Sequence, residues 1–410
     1  MFKSMKSLAV ILCCIVLMVA VTACGQSAQP AQTSTQTPSG STESAKPTPT
    51  PEATPEPVTI NFATAGDTNM TEFFNNQIIP AFTAEYPHIT VNVVGTGPGD
   101  SGSKNIHTKW KAQLDAGKDK WDLDAACVNQ SVMRDLIADG LITKYVPETE
   151  NAKYVTTPSS KNCLGTPVTD YVIPMFQSQT VLAYNPAMVP TPPKTFDELE
   201  AWIKANPKKF GYNGVKGGMS GVAFTAAYLY SKTGEYDLYS KGPYDVANTE
   251  KWKGVLKELK ALPVVYTQGN AGTLDMLNRG EIAIGPVWVD MLLLWKSEGR
   301  MDSSIKMLLP EPGMPGQPMY LVVADKATNY EAAKTFCDFI ARPDIQAKYV
   351  VEAYTWHPGV DSVAVFEKCS QAAKDKLFSE VSADEISQKG LSLPLADYMK
   401  DMLTIYEEVR

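Results

Sequence analysis

From Val58 onward, short apolar runs of strand type alternate with segments of helical period, and this alternation is the strongest constraint on the fold. Val58 to Ala63 alternates apolar and polar side chains as a half-buried strand does, Gly66 to Asn69 reads as a turn, and Met70 to Glu85 spaces its apolar residues as a helix does. Pro87 breaks that helix, and Ile89 to Val94 reads as a second strand. The glycine-rich stretch Gly95 to Gly102 leads into a helix over Ile106 to Leu114, and Trp121 to Cys127 reads as a third strand. Strands that alternate with helices imply a parallel sheet covered on both faces, the α/β class. In such sheets ligands collect outside the carboxyl ends of the strands. The loops to watch are therefore Gly66 to Asn69, Gly97 to Ser101, and Asn129 with Gln130.

Val168 to Tyr184 is a long β-rich stretch around Pro174, long enough to pass from one sheet into another. Thr195 and Glu198 form a capping box that opens a helix through Ile203, and Pro207 ends it. A second α/β region runs to about Pro318, with Asn278 to Glu281 turning into the buried strand Ile282 to Gly285. Tyr320 to Ala324 is again an apolar strand, and Glu331 to Arg410 is mostly helical in pattern.

The chain before Val58 has a different character. Lys3 and Lys6, the apolar run Leu8 to Val21, and the small residues before Cys24 have the layout of a bacterial secretory signal peptide. The run is shorter than the about 20 apolar residues a membrane span needs. Its Ala-Cys-Gly ending resembles the lipobox of bacterial lipoproteins, which implies cleavage after residue 23 and acylation of Cys24. Residues 24–57 are almost wholly Gln, Ser, Thr, Ala and Pro, a composition that cannot bury enough apolar surface to fold. A proline-stiffened leash fits a protein tethered to the outer face of the membrane of a bacterium that has no outer membrane.

The formal net charge of −8 and the lack of any basic stripe argue against a nucleic-acid partner. Of the seven cysteines, Cys127, Cys163, Cys337 and Cys369 lie beyond the leader, widely separated and in no CxxC spacing. Bridges Cys127–Cys163 or Cys337–Cys369 and free buried thiols both fit this pattern. His88, His107 and His357 have no metal-ligand partner at helical or hairpin spacing, so neither a zinc site nor any other cofactor is expected.

Several segments carry a family resemblance: Val181 to Asn185, Pro192 to Leu199, Arg279 to Trp288, Leu309-Pro310 and Ala332 to Gln346. Together with the lipobox and leash, they resemble the extracellular solute-binding proteins of ABC importers, over nearly all of Val58 to about Gly359. The resemblance implies a type II periplasmic-binding-protein fold, with two α/β lobes joined by three crossovers and a ligand cleft between them. It divides the chain into residues 58–171 with 320–359 and residues 172–319 with 360–410. It also implies a monomer that hands a small solute to a membrane permease. In maltose-binding relatives the segment around Trp288 carries a tryptophan that stacks on the ligand. Lys208 to Tyr212 and Gly217 to Phe224, with Met219 and Ser220, are closer to binders of thiamine and polyamines, so a cationic solute competes with a sugar.

The candidate ligand residues are Gly66, Asp67, Thr68, Asn69, Gly99, Asp100, Ser101, Asn129, Gln130, Gln177, Ser178, Gln179, Met219, Ser220, Trp288, Asp290 and Trp356. Trp288 follows Gly285-Pro286 at a strand end, where a ring can lie under a sugar or a cation. Asp290 shares its side if the strand continues, and can accept hydrogen bonds from a hydroxyl or an amine. Gln177 to Gln179 fall where the chain crosses between lobes, and Trp356 lies near the later crossing. Gly99 to Ser103 resembles the nucleophile segment of trypsin-like proteases, yet it reads as a loop between a strand and a helix, His107, six residues after Ser101, belongs to that following helix, and no nucleophile, base and oxyanion set is available. A binding protein that feeds a membrane receptor shares the expected fold; an exported hydrolase does not fit the residues.

Overall fold

A computed structural model describes residues Glu56 to Val409, so the leader, Cys24 and nearly all of the leash lie outside the described residues. The first lobe is built on β1 (Val58–Thr64), β2 (Ile89–Gly95) and β3 (Ala125–Asn129). β1 pairs in parallel with both of the others, through Ile60 with Val91 on one side and Phe62 with Ala125 on the other. Between β1 and β2 the chain runs as helix from α1 (Thr68–Phe73) to Glu85, with one wide turn at Phe74–Ile78 just before Pro80, which has no N–H to donate back along the helix. The helix α2 (Gly99–Asp115) starts seven residues before the expected Ile106. Its early glycines are needed for packing: a Cβ on Gly102 would sit 2.0 Å from the Gly97 carbonyl oxygen. The third strand, by contrast, begins later than expected, at Ala125–Asn129, after the chain bends at Asp122.

Two long strands carry the chain between lobes. β4 (Ile173–Tyr184) is a single run of twelve residues. Its first half pairs with β7 (Met314–Val323) and with His357–Pro358; its second half pairs with β5 (Ile284–Trp288) and β6 (Lys306–Leu308). β7 in turn pairs antiparallel with β3, which closes the sheet of the first lobe. The second lobe adds α3 (Phe196–Ala205), α4 (Met219–Thr233), α5 (Gly269–Asn278) and α6 (Val289–Ser297). Thr195 caps α3 as expected, its Oγ1 accepting from the Glu198 N–H at 3.1 Å; the Glu198 carboxylate reaches back one residue further, to the Lys194 N–H.

Two separate apolar cores mark the lobes. One joins Ile60 to Phe176 with Met319 to Leu377 and takes in Leu294 of α6, the other joins Val181 to Met314, Leu294 apart, with Val381 to Val409. The third crossing therefore lies between Leu377 and Val381 and not near Gly359. Val360, Val365, Cys369 and Leu377 all pack in the first core, and their helices continue its burial instead of starting the second lobe. Cys127, Cys163, Cys337 and Cys369 are free thiols and buried; burial pushes Cys163 up to about 12, which leaves it unreactive at neutral pH. Among the described residues no helix is long and apolar enough to cross a membrane.

Candidate functional site

The ends of β1, β3 and β5 and one face of the crossing strands meet around a cavity of about 80 Å³ between the lobes. One water requires about 10–15 Å³, so this space takes a small organic group even with the lobes together. The first lobe supplies Gly66, Asp67, Asn69, Met70, Pro98, Asn129 and Trp356; the second supplies Asn213, Gly218, Met219, Gly269, Asn270, Trp288, Asp290 and Met291. Phe176, Ser178, Gln317 and Met319 of the crossing strands form the floor.

Asp67 stands where the two lobes touch. Gly66 precedes it at φ +126°, a backbone region open to glycine, and a Cβ there would lie 2.3 Å from Met70 Cγ. The Asp67 Oδ1 accepts from the Thr68 N–H at 3.0 Å and so caps α1. Its Oδ2 accepts from the Ala271 N–H of the other lobe at 3.2 Å, at the start of α5, where helix N–H groups favour an anion. Gly269, at φ +65°, makes this approach feasible, since a Cβ on it would lie 2.8 Å from the same oxygen. This hydrogen bond, and the ion pair of Arg134 with Asp397, hold the lobes together in the present arrangement.

Asp290 is the second carboxylate. β5 ends at Trp288 and α6 begins at Val289, so Asp290 lies in the first turn of a helix and not on a continued strand. The side chain reaches the cavity all the same, at 5% exposure. Ser178 Oγ donates to one of its oxygens and Trp356 Nε1 donates to the other at 2.5 Å. No ion pair among the described residues includes it. Burial raises its pKa to about 6 against the pull of those hydrogen bonds and of N–H groups at the helix start. Trp356 is 1% exposed, stacked on Phe176 at 4.2 Å and edge-on to Phe73 at 4.8 Å. It is thus both a core residue and the donor that fixes Asp290. Trp288 is half-buried, its N–H held by Asn270 Oδ1 at 2.9 Å, and its ring borders the cavity.

The remaining polar lining is made of side-chain amides, and two of them have an acceptor to spare. Asn213 Oδ1 and Gln317 Oε1 are buried without a hydrogen-bond partner. The lining contains no Lys, Arg or His. Two carboxylates, and two amides whose oxygens are unpaired, belong to this one lining, a set that complements a hydrogen-bond-donating cation. Among the described residues no three His, Cys, Asp or Glu side chains come together as a metal-ligand set.

Of the residues singled out in the sequence, Gly66, Asp67, Asn69, Asn129, Ser178, Met219, Trp288, Asp290 and Trp356 line this cavity. Thr68 is exposed and serves through its N–H. Gly99, Asp100 and Ser101 lie outside the lining: Asp100 pairs with Lys104, and Ser101 Oγ donates to the Pro98 carbonyl at 2.9 Å. Ser220 is buried and accepts from Asn213 Nδ2 at 2.9 Å, so it orients a lining residue. His107, on α2, pairs with Asp139 at 2.7 Å. Gln130, Gln177 and Gln179 face the opposite side of the crossing strands. Sequence reading missed Phe176, Asn213, Asn270 and Gln317, which the pairing of β4 with β7, the loop after Tyr212 and the start of α5 bring into place.

Residues 67–347 match the bacterial extracellular solute-binding protein family. No curated protein sequence matches the chain. Among solved structures, it is similar to an ABC transporter substrate-binding protein from Bradyrhizobium japonicum, with TM-score 0.63 and 18% identity over 85% of this chain and 99% of that one. A putative spermidine/putrescine ABC transporter protein from Listeria monocytogenes aligns with TM-score 0.61 and 16% identity over 86% and 99%. An iron-bound protein from Pseudomonas aeruginosa aligns with TM-score 0.61 and 17% identity over the same shares. These likenesses show the two-lobed fold of type II periplasmic binding proteins, and with the match over most of its length the chain belongs to the bacterial extracellular solute-binding protein family.

Proposed function

We propose that this protein is the lipid-anchored binding component of an ABC importer and that its ligand is a small organic amine carried as a cation. The observation that carries the reading is the pairing of Asp67 and Asp290 in one inter-lobe cavity that holds no basic side chain. An ammonium group set between them would neutralise the buried Asp290, and its N–H donors would meet Asn213 Oδ1 and Gln317 Oε1. The half-buried Trp288 ring offers a face to the same charge, a contact worth about 0.5–2 kcal/mol. A neutral sugar would leave the Asp290 charge unanswered, which favours the amine over the sugar. Because contacts to both lobes exist only when they meet, the ligand would stabilise the closed arrangement, and that form would dock on the permease. No bond needs to be made or broken.

The test is a melting-temperature titration with spermidine, putrescine, cadaverine and ethanolamine. At a hundred times Kd the matching amine should add about 2.7 kcal/mol of stability, and the melting temperature should keep rising with concentration. The reading fails if none of these amines shifts the transition, or if the shift is undiminished in Asp290→Asn.

The anchor rests on Cys24, where the leader ends in small residues before a proline-rich leash. Cys24→Ser is expected to abolish incorporation of a radiolabelled fatty acid and to release the protein from the membrane fraction. Label retained by the serine variant would show that the anchor lies elsewhere.

A further inference from the structure

The crossing strands have a second face, and behind it lies a larger cavity of about 880 Å³. Side chains alternate along a strand, so residues one apart look to opposite sides. On β4, Phe176 faces the amine cavity while Gln177 and Gln179 face the rear one; on β7, Met319 faces the front while Pro318 and Tyr320 face the rear. The rear walls come from both lobes: residues 157–165 and Phe366 with Phe378 on one side, residues 383–393 on the other. The Ala396 N–H, donating to the Leu164 carbonyl at 3.0 Å, ties these walls together beside the cavity.

The chemistry of this lining differs from the front. Not one Asp, Glu, Lys or Arg borders it, in a chain of which 20% is charged. Its polar groups are amides, hydroxyls and the imidazole of His357, interleaved with Leu164, Phe366, Phe378, Ile386 and Leu391. Two side chains that border this cavity and not the front one carry a buried atom without a partner. Gln130, 6% exposed, has its Nε2 buried with nothing to donate to, and the His357 Nε2 is likewise buried and unpaired. Buried polar atoms are as a rule hydrogen-bonded, so these atoms mark where a ligand's own polar groups fit. A volume of this size lies within the about 300–1,000 Å³ of small-molecule sites.

We propose that the rear cavity is a second binding site, for a small uncharged polyhydroxylated molecule of the sugar or polyol class. Hydroxyl groups both donate and accept, which suits the unpaired Gln130 amide and the Gln177 and Ser159 side chains; the apolar wall suits the C–H face of a sugar ring. A cation has no counter-charge there, and an anion has no Lys or Arg to meet. The site thus excludes the ligand class of the front cavity. This inference stands apart from the amine reading, and either can fail alone.

The experiment titrates the purified full chain with glucose, sucrose, trehalose and myo-inositol by calorimetry and saturation-transfer NMR. At least one of these probes should bind the wild type and Asp290→Asn equally. Its affinity should drop at least tenfold in Gln130→Leu and in Ser387→Trp, which fills the exposed rim of the cavity and keeps the test open if the buried substitution unfolds the protein. The proposal is overturned if none of the four binds at tens of millimolar. It is equally overturned if binding survives both rear variants, and binding that survives them but is lost in Asp290→Asn would place the polyol in the front cavity and sink the amine reading as well.

Discussion

Asp290→Asn is expected to weaken amine binding by between a hundredfold and several thousandfold, while leaving the unligated protein at least as stable as the wild type. The carboxylate is buried, accepts from Ser178 and Trp356, and has no cationic partner. Removing one member of a buried ion pair costs about 3–5 kcal/mol, and each 1.4 kcal/mol is tenfold in affinity. Asparagine keeps the shape, and its Oδ1 still accepts from the Trp356 N–H while its amide meets the Ser178 hydroxyl as a donor. The stability effect has the opposite sign to that of an ordinary paired carboxylate. With a pKa raised to about 6 from 3.8, the folded state holds the Asp290 proton over a window in which the unfolded chain has lost it. Stability from this group is therefore present below about pH 4 and lost as pH rises through about 6, a loss of roughly 3 kcal/mol in the unligated protein. Amine binding runs the other way. Below about pH 6 the amine must displace that proton, so affinity should fall by up to about tenfold per pH unit on acidification. Calorimetry at pH 7.5 and pH 5 on wild type and variant checks both statements. An affinity that is flat with pH, or an asparagine variant within threefold of wild type, would remove Asp290 from the binding site.

The features that were legible in the sequence are those whose cause is local. The Gly66-Asp67 turn after β1, the Thr195 cap and the strand end at Trp288 are written in neighbouring residues. α2 was misread because Gly99 and Gly102 look like loop glycines, whereas Gly102 is small so that a helix start can press against the Gly97 carbonyl. Asp290 was reached by a wrong route: strand parity from Trp288 suggested the cavity, but the chain turns helical at Val289 and delivers the side chain from a first helical turn. Gln177 and Gln179 were misplaced for a deeper reason. A half-buried strand shows one wet face and one dry face, while the crossing strands are polar on both, so alternation gives no sign of which face meets the ligand. Asn213 and Gln317 escaped because their role is set by pairings to residues far along the chain. The third crossing escaped because the helices after Gly359 carry no mark of which core they join until Val360 and Val365 are seen buried with Trp356.

Trp356→Ala is expected to cost about 3–5 kcal/mol of unfolding free energy, the range for emptying a fully buried large aromatic site. The ring is stacked on Phe176, tilted against Tyr354 at 4.9 Å and edge-on to Phe73, so its removal strips three aromatic contacts as well as buried area. It also deprives Asp290 of its Nε1–H donor, which leaves a buried carboxylate with one side-chain hydrogen bond and drives its pKa further up. Trp356→Phe separates the two effects: it keeps most of the packing and loses only the donor, so it should retain most of the stability and bind amine most poorly at low pH. Trp288→Ala is the contrasting case. That ring is half-buried at the cavity edge, and truncating it should lower amine affinity by up to about thirtyfold, the equivalent of about 2 kcal/mol, with a smaller loss of stability than at Trp356. Urea unfolding and calorimetry on the three variants decide the assignment. Trp356→Ala unfolding at the wild-type midpoint would refute its place in the core, and Trp288→Ala losing stability on the Trp356 scale with affinity intact would move Trp288 from ligand contact to packing.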